Sequence, residues 1–171
     1  LKKEGLLMEI VLVEPEIPGN TGNIARLCAA NHMTLHLVKP LGFSIDDKYL
    51  KRAGLDYWHL VDVQVHENLQ EVYDAYPDRR YFYATTKAKH TYAEMKYEIG
   101  DMLVFGKETK GLPEDLIAAN LDTCIRIPMV DEARSLNLSN SVAIIAYEAM
   151  RQLNFPDLKN LGAGVPNVES L

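Results

Sequence analysis

The chain is short of the features that announce chemistry on sight. It has two cysteines in 171 residues, Cys28 and Cys124, with no Cys-x-x-Cys or ligand spacing, which excludes a disulfide scaffold and a zinc ribbon. Both lie in apolar patterns, so buried free thiols in a reducing cytoplasm are expected. The five histidines, His32, His36, His59, His66 and His90, are scattered, without an HExxH pattern, and no metal site is expected. There is no Gly-x-Ser-x-Gly elbow, no Gly-Lys-Ser/Thr phosphate loop and no GxGxxG after the first apolar run. No apolar stretch approaches the ~18 residues of a membrane span. Positive charge is not in excess: 18 Lys and Arg face 24 Asp and Glu, for a net charge of −6. That argues against a non-specific nucleic-acid binder, although a local basic patch remains open. Repeats, low-complexity tracts and interdomain linkers are absent. Residues 1–7 are too short and too interrupted by acid for a signal peptide; Met8 is the more natural start, with 1–7 read as an extension.

What is present points to one globular domain. Hydrophobic residues make up 47% and charged residues 25%, and the length supports a real core. Short apolar runs at 10–13, 35–38, 60–65, 81–84, 102–105 and 123–127 read as six strands, the third less buried because it alternates. Between them, helical spacing marks helices opening at 20–23, at 46–53, from Leu69 to Tyr76, at 114–119, and from a cap at Ser139 or Asn140 to about Leu153. Ile24, Leu27 and Cys28 form the inner stripe of the first helix, with Arg26 on its other side. Val142, Ile145, Ala146, Ala149, Met150 and Leu153 form the inner face of the last. Strands alternating with helices give an α/β domain with a mostly parallel six-stranded sheet covered on both faces. The domain spans 8–155. The tail at 156–171, rich in Gly, Pro and Asn, reads as a loose extension.

In open parallel sheets, ligands collect beyond the C-terminal strand ends. Three distinctive loops lie there. Asn20-Thr21-Gly22-Asn23 is, by itself, a cap and a glycine turn, with Arg26 able to reach an anion. Gly106 and Gly111 punctuate a loop that, taken alone, reads as a turn with a solvated Lys-Glu-Lys face. Ser135-Leu136-Asn137-Leu138-Ser139-Asn140-Ser141 is dense in short polar side chains that suit caps, turns or ligand contacts. Arg134 beside it can pair with Asp131 or Glu132, or meet phosphate. Tyr147 lies on the polar side of the last helix.

Together, the stretch from Glu14 to Cys28, the loop from Phe105 to Pro113, and Ile127-Pro128-Met129 with the stretch from Arg134 to Ser141 closely resemble the SPOUT methyltransferases. Within them the match is to the TrmL (YibK-like) group of tRNA wobble-nucleotide 2′-O-methyltransferases. Arg52-Ala53-Gly54-Leu55-Asp56-Tyr57 and Thr85-Thr86-Lys87 match as well. Gly19 departs, standing where relatives often have proline. The resemblance implies a deep C-terminal trefoil knot, bound S-adenosyl-L-methionine, a homodimer, and action on the anticodon region of tRNA in the cytoplasm, at cytidine or uridine. Carried over by motif, the cofactor positions are Ala84, Gly106, Ile127 and Ser135, with Glu108, Gly111, Met129 and Leu136 as neighbours. The family's catalytic arginine matches Arg26, with Asn137 and Tyr147 on the RNA side.

The implied reaction is in-line transfer of a sulfonium methyl to a ribose 2′-oxygen. An arginine with a pKa above ~12 is a poor base, so Arg26 is expected to clamp phosphate or ribose. Lys48, Lys51, Arg52, Lys87, Lys89, His90, Lys107, Lys110 and Arg134 supply the expected basic patch. Two other readings are a non-catalytic RNA- or adenosine-binding module and a flavodoxin-like nucleotide-binding protein. Cofactor binding without turnover marks the first, and flavin or nucleotide binding marks the second.

Overall fold

The computed structural model describes residues 7–46, 48, 50, 52 and 57–164. Lys51, most of the matching 52–57 stretch and much of the helix expected at 46–53 lie outside the described residues.

Seven strands form one sheet: β1 (Glu9–Val13), β2 (Leu35–Val38), β3 (Val63–His66), β4 (Tyr81–Ala84), β5 (His90–Thr91), β6 (Met102–Phe105) and β7 (Cys124–Arg126). Their order is β3-β2-β1-β6-β4-β7-β5, and every pairing is parallel. The seventh strand is the two-residue β5, beside Lys87 and Lys89 of the expected basic patch and outside the six expected strands; it pairs with β7 through His90↔Ile125 and Thr91↔Arg126. A pair of residues has no periodicity to read. The third strand starts at Val63 because Trp58–Leu60 forms a 3-10 turn.

The alternation inside each strand sorts side chains to two faces. Ile10, Leu12, Leu35, Leu37, Leu103, Phe105 and Ile125 meet helices α1 (Pro18–Asn31) and α4 (Leu138–Gln152). Val11, Val13, Val38, Met102, Val104 and Cys124 meet Val72 of helix α2 (Leu69–Ala75) and Ile117 of helix α3 (Glu114–Ala119). Both thiols are buried as expected, and burial pushes Cys28 up to about 12.

Two helix starts differ from expectation. α1 begins at Pro18, with the proline in the first turn where its missing N–H costs nothing, so Asn20–Asn23 lie inside the helix. α4 begins at Leu138 and is capped by Asn137, whose side chain accepts from Asn140 N–H. Asn137 satisfies an early amide from one turn upstream, so Ser139 and Asn140 are helical instead of capping. At its far end the Phe155 N–H bonds Met150 C=O at 2.9 Å and the Asn154 N–H bonds Arg151 C=O at 3.0 Å. With Asn154 at φ 60, this is a Schellman closure. It turns Phe155 and Leu158 onto the core, so the first part of the tail is docked, not loose.

Candidate active site

The loops after β4, β6 and β7 enclose a cavity of about 530 Å³. That volume suits a small-molecule ligand. Its walls are partly apolar, from Ala84, Phe105, Leu112, Ile117, Ile125, Ile127, Leu138 and Ile145, and partly polar, from Thr85, Thr86, Asn20 and Ser141.

The β6 loop is pinched shut on itself. The Gly111 N–H donates to Lys107 C=O at 2.8 Å, and Gly111 sits at φ +68, a region glycine enters freely. A Cβ at Gly106 would lie 2.1 Å from the Gly111 carbonyl carbon and 2.2 Å from the Leu112 nitrogen. Only glycine permits this approach, and the pinch directs Glu108 and Thr109 at the start of α1.

There the two loops clasp. α1 has no side-chain cap of its own and no acid in its first turn. Glu108, about ninety residues away, grips the chain just before the helix: its carboxylate accepts from Glu16 N–H at 2.8 Å, Ile17 N–H at 3.1 Å and the Asn20 side-chain amide at 3.4 Å. In return Thr109 donates its N–H and hydroxyl to Glu16 at 3.0 and 2.7 Å. The Thr109 hydroxyl holds the Glu16 carboxyl below its ordinary range, its N–H adds to the effect, and Lys107 and Lys110 reinforce it. Asn20, only 8% exposed, passes the connection on: its Oδ1 accepts from the Asn137 amide at 3.1 Å, and Asn137 caps α4. The motif loops are therefore one hydrogen-bonded unit, Glu108–Asn20–Asn137, at the cavity wall.

Of the residues carried over by motif, Ala84, Gly106, Glu108, Gly111, Ile127, Met129, Ser135, Leu136 and Asn137 all line this cavity. Arg26 and Tyr147 do not. Arg26 is exposed on α1, two turns beyond Asn20, with its guanidinium 4.8 Å from the Tyr57 ring centroid, a cation–π distance. Tyr147 is 37% exposed on α4. Lys87, Lys107, Lys110 and Arg134 are brought to the cavity, whereas Lys89 and His90 are not among its lining. Lys87 is paired with Glu114, and Lys107 faces Glu14 at 3.7 Å. Among the described residues no ion pair joins Arg134 to Asp131 or Glu132. Sequence reasoning missed Arg126, a lining cation inside β7, and the latch role of Asn20. Arg126 carried no signal beyond a charge at a strand end; Asn20 looked like an ordinary cap.

A parallel α/β sheet whose C-terminal loops gather around one small-molecule cavity defines a ligand-binding α/β domain. The chain belongs to the SpoU rRNA Methylase family, which matches residues 7–147. A relative from Bacillus subtilis (strain 168) is 54% identical over 155 residues, covering 89% of this chain and 97% of its own. The tRNA (cytidine(34)-2'-O)-methyltransferase of Escherichia coli (strain K12) is 48% identical over 151 residues, covering 88% and 96%. A solved structure addressing 2-OH methylation of C/U34 on tRNA superposes with a TM-score of 0.83 at 42% identity, covering 86% and 97%.

Proposed function

We propose that this protein transfers the methyl group of S-adenosyl-L-methionine to the ribose 2′-oxygen of the wobble nucleotide, cytidine or uridine, in tRNA. The observation that carries the reading is the cavity behind the clasp. It draws the β4, β6 and β7 loops together in a chain about half identical to the E. coli cytidine-34 methyltransferase.

The cavity's volume and its mix of apolar walls with main-chain loop edges fit such a cofactor, whose sulfonium carries the methyl as an activated group. Ala84, Gly106, Ile127 and Ser135 would hold it, with Glu108, Gly111, Met129 and Leu136 beside them. The chain's own work is alignment, which can lower a barrier by ~7–11 kcal/mol in favourable cases. The Glu108–Asn20–Asn137 latch holds α1 and α4 in fixed relation to the cavity loops. Arg26 clamps ribose or phosphate and stabilises negative charge developing at the acceptor oxygen; it does not remove the proton, which passes to water as the methyl transfers. Asn137 and Tyr147 stand on the RNA side. Lys110, Arg126 and Arg134, with no ion pair among the described residues, meet phosphates.

The same reading takes residues 8–155 as the methyltransferase domain, with the chain threaded into a trefoil knot. It also takes the enzyme to act in the cytoplasm as a homodimer. Ile144, 36% exposed on α4, offers an apolar contact for a second copy.

The test is transfer of labelled methyl to unmodified tRNA, with Arg26→Ala alongside. Label in the wobble ribose that disappears in the variant, while cofactor binding persists, is the expected result. Bound cofactor with no transfer to any tRNA in a pool sinks the assignment in favour of a binding module.

A further inference from the structure

A second polar cluster lies far from the cavity, under α2, where the sheet should be apolar. Glu9 of β1, His36 of β2 and His66 of β3 are 5%, 0% and 9% exposed. The Glu9 carboxylate accepts from His36 Nε2–H at 2.6 Å, and His36 Nδ1 faces His66 Nε2 at 3.0 Å. Tyr76 closes the cluster: its ring meets His36 edge-on at 5.2 Å, and its hydroxyl donates to Gln64 of β3 at 3.1 Å. One hydrogen-bonded row thus crosses three parallel strands and ends on β3, an edge strand held on one side only.

The row has a fixed proton capacity. His36 Nε2 keeps its proton for Glu9. The facing pair, His36 Nδ1 and His66 Nε2, can share one proton but not two. With both rings neutral, His66 donates to His36. A first added proton sits on His66 Nδ1, leaving that bond intact or letting the shared proton pass across to His36 Nδ1, which reverses its direction. A second added proton sets N–H against N–H inside the protein, and an unmade bond between buried polar groups is costly.

We propose that Glu9, His36 and His66 form an acid-operated latch on the sheet edge, in which the second proton breaks the His36–His66 contact and releases β3 with the following α2.

The surroundings bias this latch. Glu71 of α2 faces His66 and favours its protonation, while burial, foremost, and then His36 oppose it, so the ring is held below the ordinary histidine range. Asp62 before β3, Arg79, Tyr73 and Tyr81 are further titratable and charged groups around Tyr76 and Glu9. A histidine with lowered folded affinity for protons leaves stability intact above its unfolded value, about 6.5, and loses it as pH falls below.

The experiment is amide hydrogen exchange of Val63–His66 and α2 against Met102–Phe105, from about pH 7.5 to about pH 5. It compares wild type with His66→Gln, which keeps an N–H for His36 and does not titrate. With intrinsic exchange divided out, wild-type β3 opening should rise by up to about tenfold per pH unit below about 6.5, β6 should stay flat, and the variant should lose the step. β3 that tracks β6, or a step that survives in the variant, overturns the latch. Should His66→Gln not fold, ring-nitrogen NMR of the wild type decides. A second protonation coincident with β3 opening supports the proposal, and two independent titrations with β3 intact refute it.

Discussion

At the scale of single residues, Glu108 and Asn137 carry the site's geometry through bonds that link distant parts of the chain. Glu108→Gln leaves one carbonyl oxygen for two backbone donors and turns an N–H toward the other. The expected cost is about 1–3 kcal/mol of stability, read from urea unfolding. Because α1 then shifts against the cavity loops, single-turnover methyl transfer should fall roughly ten- to hundredfold; unchanged transfer would mean that the clasp holds the fold and not the reaction geometry. Asn137→Ala removes the α4 cap and the bond to Asn20 together. A loss of about 1 kcal/mol from the cap is expected, and a denaturation midpoint identical to wild type would contradict it.

At the scale of elements, the 106–111 loop shows two glycines needed for different reasons. Gly106→Ala drives a Cβ into fixed backbone, so the pinch must open, and overpacking of this kind costs about 1–3 kcal/mol. Calorimetry should show cofactor affinity falling sharply. Gly111→Ala meets open space and pays only for its left-handed backbone, about 1–2 kcal/mol, so cofactor binding should fall less. The reverse order would show that the pinch does not shape the cavity. The helix starts make a related point. Pro18 and Asn137 set them, yet the sequence pattern places the boundaries two to three residues too late, because first-turn residues such as Asn20 are polar for the sake of partners in other loops.

At the scale of the molecule, a chain of net charge −6 must concentrate its cations to meet RNA. Two lysines at the cavity are already paired with Glu14 and Glu114. Lys110, Arg126 and Arg134 remain for phosphate. Three such contacts to a single-stranded loop predict a log–log salt slope near about −2 for tRNA affinity. Replacing Lys110 and Arg134 by Ala should flatten it by about two thirds, and a slope that does not change would place the RNA elsewhere.

The sequence by itself determined the class of fold. Short apolar runs alternating with helical patterns leave few options but a parallel sheet covered on both faces, since each strand must bury both its sides. The motif residues that line the cavity came from the resemblance of three loops taken together, because each loop alone reads as an ordinary cap or turn; Arg26 and Tyr147, carried over with them, lie outside that lining. The tertiary structure alone decided the order β3-β2-β1-β6-β4-β7-β5, in which later strands return between earlier ones, because parallel pairing carries no local signature of its neighbour. It also decided that Glu108 grips the chain at the start of a helix some ninety residues away, that Asn20 bridges two loops, and that Glu9, His36 and His66 share one proton row. Each is a contact between residues remote in the chain, where periodicity and spacing have nothing to measure.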